Sequence, residues 1–190
     1  MRSRPLREAT VEGVVSLLDE PHQALVDALW TDLERECGLR GVRATPFPHF
    51  SYQVAERYDR EPLIEALQRF AAAEPPFSVT TSGLGVFTGA KPVVYLPIVR
   101  TAALSRFHAA LWQAIAGTGF AVQAYYLPDR WLPHITIGWG DVDAQGAAAA
   151  VRWLANQPLN WEIAVTSVAF IGETEGRLEI VSRKTLRGPG

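Results

Sequence analysis

Apolar and polar positions along the chain switch repeatedly between the two-residue alternation of a strand and the 3.6-residue spacing of a helix. Residues 11–18 (V-E-G-V-V-S-L-L) read as a short strand. Glu20-Pro21 opens a helix, with proline at a tolerated first-turn position. Leu25, Ala28, Leu29, Leu33 and Cys37 recur at helical spacing and are assigned to its inner face, and Gly38 stops it. Residues 39–48 form a loop ending in Pro-Phe-Pro, and 49–56 alternate as a strand. A helix starts between Asp59 and Pro62, carries the stripe Leu63, Leu67, Phe70, and ends before Pro75-Pro76. The second half repeats the order. Strands at 77–82 and 92–99 flank a glycine-bearing turn at 83–90. Thr101 caps a helix with Leu104, Phe107, Leu111 and Ile115 inward, ended by Gly117 and Gly119. Residues 119–127 are predicted extended and 134–139 a strand, and Asp143 caps an alanine-rich helix ending near Asn156. Strands at 162–171 and 177–183 close the chain around a hairpin turn at 173–176. Strand–helix–strand–helix thus occurs twice without a linker. This predicts an α+β fold of one bilobal domain over 11–187, with pseudo-repeat halves of about 11–76 and 90–160 and a polar tail at 1–10.

Composition narrows the class. Hydrophobic residues are 48% and charged residues 20% of the 190, which excludes coiled coil, collagen and disorder. One cysteine, Cys37, leaves no disulfide framework and no cysteine-built zinc site. The net charge of −2 argues against a protein that coats duplex DNA, which must neutralise many phosphates. It leaves room for a site holding one or two. No apolar run reaches the roughly 18–20 residues that span a bilayer, and the arginines at 2, 4 and 7 have no apolar stretch behind them. A cytoplasmic monomer with no membrane partner is the expectation.

One short string recurs. Pro48-His49-Phe50-Ser51 matches Pro133-His134-Ile135-Thr136, 85 residues later, each after an apolar residue, Phe47 or Leu132. On a strand, His49 and Ser51 share one face and Phe50 and Tyr52 the other; His134 and Thr136 oppose Ile135 and Ile137 in the same way. A pseudo-twofold axis between the halves would set both imidazole–hydroxyl pairs across one cleft. In-line displacement at phosphorus needs a base on the attacking oxygen and an acid on the leaving oxygen. Imidazole, titrating near pH ~6.5, supplies either role near neutrality. The two hydroxyls would donate to the non-bridging oxygens, where charge develops. The scheme calls for no metal and no cofactor.

These paired His-x-Ser/Thr tetrads on a duplicated α+β chain resemble the two-histidine phosphoesterase superfamily, in particular its 2′-5′ RNA ligase-like, RNA 2′,3′-cyclic phosphodiesterase branch. The resemblance covers about residues 11–185. The pair Gly85-Val86-Phe87 and Pro92-Val93-Val94-Tyr95-Leu96 resembles the family's strand pair after the mid-chain crossover, and Arg130 precedes His134 by four residues, as in the family. The resemblance implies antiparallel sheets around a central cleft and hydrolysis of a 2′,3′-cyclic phosphate, on an RNA end or a nucleotide, to a 2′-phosphate, with reversible 2′-5′ RNA ligation beside it. It implies His49 as proton donor and His134 as acceptor; the residues themselves do not assign the roles. Two features depart from the pattern. Ser51 stands where threonine is commoner, and Ile137-Gly138-Trp139-Gly140-Asp141 replaces a stretch that carries a basic residue in RNA-directed relatives, which leaves room for a small nucleotide. Rival readings are a related activity on 2′-5′ oligonucleotides or an ADP-ribose cyclic phosphate, and a non-catalytic binder of RNA ends.

Other candidates carry less. Arg130 is a candidate phosphate clamp and Tyr95 a candidate cleft or base contact. Trp131, Trp139 and Tyr126 cluster near the second tetrad and read as core. His108 reads as a surface histidine and His22 as an ordinary first-turn residue, and no metal-ligand spacing links the four histidines. The stretch 83–91 lacks the glycine spacing and the Gly-Lys-Ser/Thr ending of a phosphate loop.

Overall fold

The structure, a computed structural model, describes residues 12–188. The tail predicted at 1–10 and Val11 lie outside the described residues. The chain runs β1 (Glu12–Leu17), α1 (Glu20–Cys37), β2 (His49–Ala55), β3 (Arg57–Tyr58), α2 (Arg60–Ala73), β4 (Phe77–Thr80), β5 (Gly85–Phe87) and β6 (Val93–Pro97). It continues through α3 (Ala102–Ala114), β7 (Gly119–Phe120), β8 (His134–Gly138), α4 (Ala144–Leu154), β9 (Glu162–Val165), β10 (Ser167–Thr174) and β11 (Arg177–Thr185). Local chemistry sets the helix starts. Asp19, Thr101 and Asp143 each accept a hydrogen bond from a first-turn backbone N–H, and Gly38, at φ +72°, closes α1 in the left-handed region. Among the described residues no helix is long and apolar enough to cross a membrane.

Seven strands form one antiparallel sheet in the order β11-β10-β1-β2-β8-β6-β5; β3 pairs with β7 and β4 with β9. The sheet has a local twofold pattern. Outward from the central pair β2–β8, β2 is followed by β1 and then β10, and β8 by β6 and then β5. The helices follow it with an exchange: α1 packs on α4 and β8, while α3 packs on α2 and β2. Each early helix therefore buries its apolar face beneath the other half's tetrad strand. Strand alternation separates two apolar clusters. Val14, Phe50, Tyr52, Ile135 and Ile137 join the helices in the main core, whereas Val15, Leu17, Ala169 and Ile171 form a smaller cluster with Phe47 and Leu178.

Several expectations are corrected. The inner face of α1 is Val26, Leu29, Trp30 and Leu33, with Leu25 and Ala28 exposed. Both stripes share Leu29 and Leu33, and burial of the large Trp30 indole decides the rotation. The turn at 83–90 contains the strand β5. Residues 119–127 are not continuously extended: Ala121 takes φ +51° after β7, and Ala124–Tyr126 is a 3-10 turn. The strand expected over 162–171 breaks at Thr166, so that β9 pairs with β4 while β10 enters the large sheet. His108 is fully buried between α3 and β2, with its Nε2 on the Tyr52 carbonyl and its ring stacked on Trp131.

Candidate functional site

The tetrads lie on β2 and β8, which are neighbours in the sheet, with Phe50 paired to Ile135. Antiparallel register then sets His49 across from Thr136 and Ser51 across from His134, with the two imidazoles on a diagonal. Diagonal neighbours of this kind stand on the order of 7–8 Å apart. The exposure patterns match: in each tetrad the histidine and hydroxyl are part-buried and the residues between and after them are buried. The apolar pair Phe50 and Ile135 anchors the crossing from below.

Each histidine is oriented in the same way. His49 Nδ1 is 3.0 Å from the Phe47 carbonyl, and His134 Nδ1 is 2.7 Å from the Leu132 carbonyl. A carbonyl only accepts, so Nδ1 carries the proton and donates, which leaves Nε2 as the working nitrogen. The prolines between explain the shared geometry. Pro48 and Pro133 have a fixed φ and push the preceding residue to extended backbone, which brings its carbonyl beneath the ring. Their own carbonyls accept from Leu18 N (3.4 Å) and Ile98 N (2.9 Å), the residues just past β1 and β6.

Both tetrads end in a β-bulge. The β1–β2 register passes from Val15↔Ser51 to Val14↔Gln53 and leaves Tyr52 without a partner. The β6–β8 register passes from Tyr95↔Thr136 to Val94↔Gly138 and leaves Ile137 without one. Bulges re-aim side chains beside active sites. Here each shifts the alternation by one, so Val54 and Trp139, five residues after their histidines, line the same cavity as the histidines. The first bulge is held from below: Trp131 Nε1 donates to the Ser51 carbonyl (2.8 Å) and His108 Nε2 to the Tyr52 carbonyl (2.8 Å), their rings stacked with centroids 3.8 Å apart.

The cavity has a volume of about 350 Å³ and is lined by all four tetrad residues, His49, Ser51, His134 and Thr136. Burial holds the His49 imidazole below its ordinary value; the Phe47 carbonyl opposes this, and the charge of His134 adds to the depression. Burial also holds His134 low, opposed by the Leu132 carbonyl. Tyr126 lines the cavity, with burial pushing its phenol upward and the Ser51 side chain opposing this.

Of the remaining candidates, Tyr95 is buried on β6 with its ring 5.1 Å from His134 and stacked 4.1 Å from Phe87, whose own ring is 4.9 Å from His134. It walls the second imidazole. Arg130 is exposed in the turn after Leu127 and does not line the cavity. Trp131 is core as expected, but Trp139 is 44% exposed and lines the cavity, contrary to the core reading. Trp30 and Thr45 also line it and carried no signal in the sequence, because they reach it from α1 and the following loop.

The sequence model of the 2′-5′ RNA ligase superfamily matches residues 18–177. The chain belongs to that superfamily, the two-histidine phosphoesterases. The match spans both tetrads and both exchanged helices. TT0787 of Thermus thermophilus has the same fold, with a TM-score of 0.66 and 18% identity over 95% of this chain and 100% of that one. LigT of E. coli superposes in its apo form with a TM-score of 0.62 and 18% identity, covering 93% of this chain and 96% of LigT. Its complex with 3′-AMP gives 0.59 and 18% identity, with 94% and 99% covered. No curated protein matches the sequence.

Proposed function

We propose that this two-histidine phosphoesterase hydrolyses a ribose 2′,3′-cyclic phosphate, on a nucleotide or an RNA end, to a 2′-phosphate. The observation that carries the proposal is the diagonal pair of imidazoles, each with Nδ1 tied to a carbonyl and both in one cavity with the two hydroxyls. A neutral Nε2 takes a proton from water as its oxygen attacks phosphorus. The bond from phosphorus to O3′ breaks, and the other, protonated imidazole gives its proton to O3′. Water is consumed, and proton exchange with solvent resets the pair. Following the family resemblance, His49 is the donor and His134 the acceptor. Ser51 and Thr136 donate to the non-bridging oxygens as charge builds on them. With the 5′-hydroxyl of a second ribose attacking in place of water, the bond from phosphorus to O3′ breaks in the same way and the product is a 2′-5′ diester; the reverse, in which O3′ attacks that diester and the 5′-oxygen leaves with a proton, exchanges the roles of the two histidines. That LigT, at this level of structural similarity, was crystallised with 3′-AMP and with phosphate supports a phosphate ligand of this class.

The test is turnover of adenosine 2′,3′-cyclic phosphate by His49→Ala and His134→Ala, with the product separated as 2′- or 3′-monophosphate. Each variant is expected to lose roughly 10²–10⁴-fold in rate, the contribution of one positioned proton transfer. Folded variants that retain wild-type turnover would end the proposal. A panel containing 2′-5′ oligoadenylate and ADP-ribose cyclic phosphate distinguishes the neighbouring activities, and binding without product would mark a non-catalytic reader of RNA ends.

A further inference from the structure

The cavity that holds the tetrads has two unlike ends. The local twofold pattern puts Val54 and Trp139 at matching places, each brought there by its bulge, yet Val54 is nearly buried and Trp139 is 44% exposed. A tryptophan turned this far into water leaves a large apolar face without a partner. That face sits on a fixed base. Asp141 N donates to the Trp139 carbonyl (3.1 Å), and Asp141 Oδ2 accepts from Arg40 N (2.8 Å), so the turn after β8 is tied to the loop after α1. The two backbones are pressed together through glycines. A Cβ on Gly41 would lie 2.4 Å from the Trp139 carbonyl oxygen, and one on Gly140, which has φ +87°, would lie 3.5 Å from Gly41 Cα. Trp30 and Thr45 line the same cavity.

Charge points the same way. Among the described residues that line the cavity, Glu12 is the one carboxylate and there is no lysine or arginine. Glu12 is already paired with Arg60 at 2.7 Å and accepts from Tyr58 N at 2.8 Å. A polyphosphate backbone gains its affinity from several cations, and beyond the two imidazoles this lining offers no lysine or arginine to supply them. A single phosphate is served by the histidines and hydroxyls, and further affinity is available from the uncharged part of the ligand. A planar group stacked on an indole is the interaction the lining can supply.

Resting on the phosphodiesterase reading and narrowing it, we infer that Trp139 is a stacking platform for the nucleobase, so that the substrate is a mononucleotide or a short nucleotide end held by base and phosphate together. The platform reads a π-face, not a base edge, and therefore tolerates purine and pyrimidine.

The experiment is calorimetric titration with adenosine 2′-monophosphate and with ribose 2-phosphate, which lacks the base. Wild-type protein is expected to bind the nucleotide more tightly by roughly tenfold to a hundredfold, the scale of one stacked base. Trp139→Leu, apolar but not aromatic, is expected to remove that margin and leave ribose 2-phosphate unchanged. Trp139→Phe is expected to keep most of it. Equal wild-type affinity for the two probes overturns the inference, and so does a Trp139→Leu protein that keeps the margin or loses both ligands alike. Because the readout is binding, loss of the margin is seen whether or not the protein turns over a cyclic phosphate. Failure of the hydrolytic reading appears separately, as a wild-type protein that shows the margin and forms no product.

Discussion

Gly85 offers the sharpest test of how the second imidazole is held. Its backbone is not in the left-handed region, so a substitution there acts through sterics alone. A Cβ at this position would lie 2.2 Å from Cζ of Tyr95 and 2.6 Å from its hydroxyl oxygen. Carbon atoms pack best at roughly 3.5–4.0 Å, so Gly85→Ala must drive the ring about 1.3 Å or more off its seat. The ring is confined by Phe87 at 4.1 Å and His134 at 5.1 Å. A buried overpacking of this kind costs about 1–3 kcal/mol. If the displaced ring pushes on His134, the rate falls further, since misplacing a catalytic group by ~1 Å can cost about 10²-fold. The assay pairs urea unfolding with kcat on adenosine 2′,3′-cyclic phosphate, and adds Gly85→Ala/Tyr95→Leu, in which the smaller side chain makes room for the methyl. The double variant is expected to be less destabilised than the sum of its parts and to recover turnover. A Gly85→Ala protein as stable and as active as wild type would refute the packing of Tyr95 over Gly85 and with it the account of how His134 is walled.

Two further predictions concern protons. Burial depresses both tetrad imidazoles below 6.5, and the proposed hydrolysis needs one protonated and one neutral. The profile of kcat/KM against pH, which reports the free protein, is therefore expected to be bell-shaped with its maximum on the acid side of 6.5, and a maximum well above neutrality would contradict the burial of the pair. His108, buried and pushed down to about 4 from 6.5 chiefly by burial, stays neutral in the folded state while the unfolded chain takes up a proton. Its contribution to stability is whole above 6.5, declines as pH falls from 6.5 towards 4, and is flat below. The loss amounts to at most about 3 kcal/mol. His49 and His134 tilt the curve in the same direction, so the measurement is the difference between wild type and His108→Gln, which keeps a donor near the Tyr52 carbonyl. Identical pH slopes for the two would refute it.

The sheet register explains why His108 and Trp131 are core although both carry polar atoms. β2 and β8 touch at the single pair Phe50–Ile135, and the bulge at Tyr52 takes the next carbonyls out of ladder pairing. Those carbonyls need donors, and the indole and imidazole provide them from below. A helical pattern places Phe107 inward and leaves His108 at the margin of the apolar stripe; only the position of the bulged strand makes that margin an interior.

The sequence alone determined what acts over a few residues. The caps at Asp19, Thr101 and Asp143, the stop at Gly38, the alternation that separates His49 and Ser51 from Phe50, and the Pro-His geometry that turns each ring onto a preceding carbonyl are settled by neighbours in the chain. Repetition of the tetrad after 85 residues made a shared cavity an expectation but could not produce it. Tertiary structure decided the rest. It set β2 beside β8, exchanged α1 and α3 between the halves, left Arg130 in solvent, and turned Trp139 from an expected core residue into the wall of the cleft. The physical reason is that strand partners and helix faces are chosen by the sum of buried area over the whole chain. A bulge, likewise, is an interruption of period that no periodic pattern announces, and one extra residue in each of two strands is enough to change which side chains meet the substrate.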